Sequence, residues 1–242
     1  MAPGVAQETA PFHLTDVDRQ VLSQTDEEFL YHDWENIKEI IARNDLAAFK
    51  RKPSDLIRYI DWTRGIKAQY GTITNYICQR RLKWTIPPET VPNSTVTGAA
   101  PTPAVAGDSC PVFPFKNPIP FADPADYKIL RNDWPYGVTP DISHLVVWLR
   151  TPVPVKENGG DVTDDSRACI EAFVQRTFVD RLAREKECFA NPAEHVVWFK
   201  NWTALQSVRA LEHVHILLRD VPEHILVEWT GEKPQETRIE EP

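Results

Sequence analysis

Two histidines one residue apart, His213 and His215 in "EHVHILL", raise the first chemical question. Residues two apart on a β-strand point the same way. On a strand, His213, His215 and Leu217 therefore line one face, and Val214 and Ile216 the other. Imidazole titrates near neutrality and can attack phosphorus, shuttle a proton or ligate a metal. A metal needs more ligands than this pair supplies. His195 or Glu212 could add one, yet nothing in their spacing requires it, and no metal or other cofactor is expected. The alternative is structural, with half-buried rings bonded to backbone or to Glu212. The stretch leading into the pair, "NWTALQSVRALEHVH", adds Asn201, Gln206, Ser207 and Arg209, and so many hydrogen-bonding groups in one segment mark a candidate site. Lys200 beside Asn201 can meet a phosphate as a point charge if it faces a cleft. Trp134 and Tyr136, either side of Pro135, offer an aromatic platform for a base or sugar and serve equally well as packing residues.

The elements that must position these groups follow from periodicity. "DYKILRNDWPYG" reads as a short strand and a turn, and "SHLVVWLRTPVP" as a strand ended by prolines. "TDDSRACIEAFVQRTFVDRLAREKECF" is a long helix, with Ile170, Phe173, Val174 and Leu182 as its buried stripe. "HVVWFKNWT" and "EHVHILLRDVP" are further strands, and "EHILVEWTG" a last helix. Upstream, from Thr15 to Trp84, the pattern is helical. A Thr/Asp cap opens the first helix, Trp34, Ile37, Ile40 and Ile41 form one stripe, and Pro53 and Gly71 bracket another helix. The expected organisation is a disordered tip (1–11), a small helical annex (12–84), a Pro-rich flexible linker (85–120), an α+β domain (121–231) and an acidic tail (232–242). The linker reading rests on nine of the 21 prolines and on the absence of charge between Glu89 and Asp108.

The 242 residues are 42% hydrophobic and 26% charged, which suits a folded globular chain. A net charge of −8 argues against a nucleic-acid binder. The charge is uneven, however, with ten Lys/Arg against three Asp/Glu between Arg43 and Trp84. That basic stretch is expected to meet the acidic remainder of its own chain or an acidic partner. No apolar run approaches the roughly 18–20 residues of a membrane span. The N-terminus lacks the features of a signal peptide, and the four scattered cysteines suit a reducing compartment. The expected location is cytoplasmic, with no membrane partner. The nine glycines form no phosphate-cradling loop, and no G-x-S-x-G or H-E-x-x-H motif is present.

The order "RNDWPYG", "SHLVVW", long helix, "VVWFKN", "LQSV", "HVHILL" resembles the histidine triad superfamily over roughly Phe121 to Asp220. The resemblance implies an antiparallel sheet with a long helix, handling nucleotide phosphates. It places His215 at the nucleophile, His213 in support, and Asn201, Gln206 and Ser207 toward the phosphates. Trp134, Tyr136 and His144 would then lie toward base and ribose. Leu217 departs from the third alternating histidine or glutamine, and "TALQSVRALE" replaces a Gly-rich loop, which points to altered or absent catalysis. A second resemblance spans nearly the whole chain outside the linker. "LTDVDRQVLSQTDEEF", "KRKPSDLIRYIDWT", "IPFADPADYKILRNDWPYG" and "WFKNWTALQSVRALEHVHILLR" are similar to the fungal N-acetylglucosamine-induced protein family. It implies a fungal cytoplasmic protein with an aminosugar-responsive or accessory metabolic role. The expectation is thus a diverged histidine-triad-like α+β domain that binds or processes a nucleotide or nucleotide sugar. The competing expectation is a non-catalytic interaction or regulatory protein whose histidines are structural.

Overall fold

The computed structural model describes residues 14–87, 113–157 and 161–233. Four antiparallel strands form one sheet in the order β1-β2-β4-β3, with β1 Tyr127–Arg131, β2 Ile142–Leu149, β3 Val196–Phe199 and β4 Glu212–Arg219. The central pair fixes the register of everything that follows: Val146 lies opposite His215, Trp148 opposite His213, and His144 opposite Leu217. Because side chains alternate along a strand, these residues share one face. Leu145, Val147, Leu149, Val214, Ile216 and Leu218 point to the other.

That second face is apolar throughout and is covered by a long helix. α5 (Asp164–Val174) runs through a π-helical segment, Gln175–Val179, into α6 (Asp180–Leu182). Thr163 caps it by accepting from the Ser166 backbone N–H, and Asp164 and Asp165 sit at its positive end. Ile170, Phe173, Val174 and Leu182 are buried against the sheet, together with Ile225 and Leu226 of α7 (Glu223–Thr230).

The N-terminal helices cover the histidine-bearing face, so the architecture is a sheet between two helical layers. They are α1 (Asp16–Leu22), α2 (Trp34–Ala42), α3 (Pro53–Tyr70) and α4 (Ile73–Tyr76), the last continuing as a π-helical turn, Ile77–Leu82. α1 opens at the expected Thr cap, which the structure shows to be a capping box of Thr15 with Asp18, and α3 begins at Pro53 and stops at Gly71. Ile66, Ile73, Ile77 and Leu82 pack on Leu130, Val146 and Trp148. Trp34, Ile37, Ile40 and Phe49 pack on Ile142, Phe199 and Leu217. Of the segment read as a linker, 88–112 lies outside the described residues. Just beyond it Phe113 is buried against Trp84, and Asp126 accepts the backbone N–H groups of Lys116 and Asn117. Residues 1–13 and 234–242, which include the expected tip and most of the expected acidic tail, are likewise outside the described residues. Glu232, at the start of that tail, pairs with Arg81 and accepts the Arg131 backbone N–H.

Backbone hydrogen bonds stitch the helical layer to the β1–β2 loop. Gly137 N–H donates to the Lys50 carbonyl (2.8 Å), His32 N–H to the Gly137 carbonyl (2.8 Å), and Thr139 N–H to the His32 carbonyl (3.0 Å). The approach is so close that a Cβ on Gly137 would lie 2.4 Å from the Phe29 ring, so only glycine fits. Phe49 then stacks between Tyr136 (5.0 Å) and Phe199 (4.8 Å), clamping loop and sheet together. Phe49→Ala is expected to cost about 3–5 kcal/mol of unfolding free energy, as for other buried aromatic truncations. Urea denaturation measures it, and a loss below about 1 kcal/mol would show that the clamp contributes little.

A histidine-floored cavity between sheet and helices

The rings on the covered face are joined side chain to side chain. Nδ1 of His215 and Nε2 of His144 lie 2.9 Å apart across β2 and β4. The far side of His215 is held by Asn201, just past the end of β3, whose Nδ2 donates to His215 Nε2 (3.3 Å) and to the Tyr136 hydroxyl oxygen (3.1 Å). With Nε2 accepting, the single proton of a neutral His215 sits on Nδ1 and is donated to His144. Asn132, following β1, uses Oδ1 to accept the Trp134 backbone N–H (2.9 Å), which turns its Nδ2 toward His144, 3.2 Å from Nε2. His213 stands apart from this chain: its Nδ1 donates to the Leu211 carbonyl (2.8 Å), and its ring lies against Trp148. Phe199 stacks on His215 at 4.7 Å, and Tyr136 on His144 at 5.5 Å.

Burial sets the charge state. All three rings are buried, and removing a cation from water without a carboxylate beside it is unfavourable. Burial, reinforced by the Arg51 charge, holds His144 down to about 3. Burial also brings His213 to about 4, its bond to the Leu211 carbonyl opposing the shift and Lys200 adding to it. His215 is pushed well below its ordinary value by burial first, then by His144, His213, Arg51 and Lys200. At neutral pH the array is uncharged.

Above it lies a cavity of about 110 Å³, walled by Tyr59, Trp62, Trp134 and Trp148, with His213, His215, Asn201 and Ser207 among its polar lining. Tyr136 lines it too, while His144 acts from behind through its bond to His215. Gln206 points elsewhere and donates to the Asn201 carbonyl (2.7 Å), a bond that shapes the turn. Lys200 is buried in an ion pair with Glu212 (3.2 Å) and does not reach the cavity. His195, the third-ligand candidate, bonds the Arg219 carbonyl, and no group of three or more His, Cys, Asp or Glu among the described residues could hold a metal ion.

Three arginines line the same space. Arg81, brought inward with Ile77 by the π-helical turn, is paired with Asp133 and Glu232. Arg131 pairs with Glu223. Arg51 differs. Its Nε donates to the Trp134 carbonyl (3.2 Å), and its guanidinium lies over the rings of Tyr59 (4.6 Å) and Tyr136 (5.1 Å). Among the described residues no carboxylate pairs with it. The only hint in the sequence was the basic run Lys50-Arg51-Lys52 before a helix-opening proline.

The molecule is thus an α+β protein in which a helical layer closes over a sheet face to leave one aromatic, cation-bearing cavity. The chain belongs to a family described as proteins of unknown function, DUF3605, which matches residues 33–219. It is similar to N-acetylglucosamine-induced protein 1 of Candida albicans, 27% identical over 197 residues, covering 81% of this chain and 71% of that protein. An uncharacterised protein of Saccharomyces cerevisiae is 26% identical over 202 residues, 84% of this chain and 86% of that one. A crystal structure of a protein called HTC1 superposes with a TM-score of 0.54 at 26% identity, covering 79% of this chain and 86% of that chain. No helix among the described residues is long and apolar enough to cross a membrane.

The depressed imidazoles make a pH prediction. In the unfolded chain each histidine takes up a proton as pH falls through about 6.5, whereas the folded rings stay neutral to about 4 (His213) and about 3 (His144). The unfolded state therefore binds more protons, and stability falls as pH drops below about 6.5, by about 1.4 kcal/mol per pH unit for each ring. Urea unfolding at a series of pH values, with imidazole NMR titration of the folded protein, should show this fall while His213 titrates only at about 4 and His144 at about 3, with His215 shifted in the same direction. Folded-state midpoints near 6.5 would contradict the neutral array.

Proposed function

We propose that the protein binds a small anionic metabolite of the nucleotide or nucleotide-sugar class between the sheet and its N-terminal helical layer. The observation that carries this reading is Arg51, a guanidinium fixed at the cavity wall by the Trp134 carbonyl and two tyrosine rings, with no carboxylate among the described residues to neutralise it. A partly buried cation held in place without a carboxylate among the described residues attracts a ligand anion. Arg81 and Arg131 are already neutralised and contribute shape more than charge. The aromatic walls offer flat apolar surface to a sugar or base, and Asn201, Ser207 and the Tyr136 hydroxyl offer directional hydrogen bonds.

His213 and His215 serve in this reading as neutral hydrogen-bonding groups. A proton shuttle works best with a pKa near the operating pH, and burial holds both rings far below it. Binding is therefore favoured over acid–base catalysis. A Candida albicans relative named for induction by N-acetylglucosamine supports an aminosugar-responsive role in metabolism.

Thermal-shift and calorimetric titration at neutral pH against nucleoside monophosphates, nucleotide sugars and sugar phosphates test the proposal. At least one of these classes should stabilise the protein. Arg51→Gln should weaken binding at least tenfold, in line with a charge-assisted hydrogen bond of about 1.5–3 kcal/mol. The absence of any shift at millimolar concentration across the panel, or undiminished binding by Arg51→Gln, would overturn it.

A further inference from the structure

The floor of the cavity is short of donors. His213 is neutral and spends its one N–H on the Leu211 carbonyl, so Nε2 presents a lone pair at the cavity lining. Asn201 directs its Nδ2 at Tyr136 and His215, and its Oδ1 is buried with no hydrogen-bond partner among the described residues. That side chain belongs to a residue only 5% exposed, and it lines the cavity. A buried acceptor left unmatched is unfavourable by about the cost of a lost hydrogen bond. The acceptor that the floor presents to the cavity is therefore His213 Nε2, and a ligand that brings a hydrogen to it is favoured.

The donors lie toward Arg51. Tyr136 accepts from Asn201 through its oxygen and keeps its O–H to give, and Arg51 lies over the Tyr136 ring. Along the cavity the order is thus Arg51 and Tyr136, then Asn201 and His215, then His213 against Trp148. One end offers donors and one uncompensated positive charge, and the other offers acceptors beside a flat aromatic ring.

We infer that the cavity takes a glycosyl phosphate: a sugar ring at the His213 end, a hydroxyl donating to His213 Nε2, and one phosphate ester at Arg51. This rests on the anion-binding part of the reading above and puts a sugar phosphate, without a nucleoside, in the cavity. Hydroxyls can each turn a hydrogen toward an acceptor, whereas a phosphate has none to give at neutral pH and a nucleobase edge mixes donors with acceptors. The C–H face of a sugar ring packs on Trp148. A single free cation matches one phosphate better than two. The volume of about 110 Å³ holds on the order of ten waters, a space on the scale of a monosaccharide phosphate.

Calorimetric titration of the full chain with glucosyl phosphate, glucose, uridine monophosphate and inorganic phosphate tests the inference. Glucosyl phosphate should bind at least tenfold more tightly than uridine monophosphate, inorganic phosphate or glucose. His213→Leu should lose about tenfold for glucosyl phosphate and leave inorganic phosphate unchanged, while His213→Gln, which retains an acceptor, should recover part of the loss. Because the wild-type ranking needs no variant, it decides even if His213→Leu does not fold. Uridine monophosphate binding as tightly as glucosyl phosphate, or more so, would overturn the glycosyl inference and leave the anion-binding reading standing. Failure of every phosphate compound to bind would overturn both.

Discussion

Three imidazoles removed from water on one face of a sheet are the constraint on which the rest of this structure depends. Buried and without an adjacent carboxylate, they remain neutral. A neutral imidazole is one donor and one acceptor, and each of those must be matched. Leu211 matches His213 on one side, while His144, His215, Asn201 and Tyr136 are linked in a chain that joins β2, β4, the turn after β3 and the β1–β2 loop. Asn201 Oδ1 stays buried without a partner among the described residues, and His213 Nε2, on a residue that lines the cavity, is left free to accept. The polarity of the floor thus follows from the hydrogen-bond arithmetic of its residues.

The helical layer makes this arrangement possible. Without it the histidine face would be wet, and the rings would titrate like any exposed histidine. The layer is held by packing against Trp148 and Phe199 and by the backbone bonds between Gly137 and its two neighbours, Lys50 and His32. The same bonds set Arg51 beside Tyr136. The cation and the neutral rings are therefore positioned by one set of contacts. Arg51 in turn contributes to holding His144 and His215 uncharged. A bound anion would relieve the Arg51 charge without disturbing the array, since neither imidazole needs to change its protonation.

Much of the scaffold could be read from the chain because it follows local rules. The α5 stripe of Ile170, Phe173, Val174 and Leu182, the α1 Thr cap and the Pro53–Gly71 bracket are set by residues close in sequence, and the α+β class follows from their order. The shared face of His213 and His215 needed only the two-residue period of a strand. The site was legible in part. Asn201, Ser207, Trp134 and Tyr136 come to the cavity with the two histidines, but Gln206 and Lys200, two neighbours of Asn201, turn to the Asn201 carbonyl and to Glu212. Past the end of a strand the direction of a side chain depends on turn geometry, which no periodicity encodes. Arg51 and Asn132 were invisible for another reason: they reach the site through contacts spanning 83 residues (Arg51 to Trp134) and 12 residues (Asn132 to His144). That the helices cover the histidine face, instead of forming a separate body, is also a tertiary fact. Its trace in the sequence was the basic charge between Arg43 and Trp84, which meets Asp133 and Glu232 through Arg81.

Anion recognition at Arg51, over a floor of uncharged acceptors, is the claim that joins these observations. A crystal structure of the protein soaked with glucosyl phosphate tests it most directly. The account predicts phosphate oxygens within hydrogen-bond distance of the Arg51 guanidinium and a sugar hydroxyl within reach of His213 Nε2, with the helical layer in place. A ligand lodged elsewhere on the surface, or one that enters only after Arg51 and Tyr136 have moved away, would contradict it.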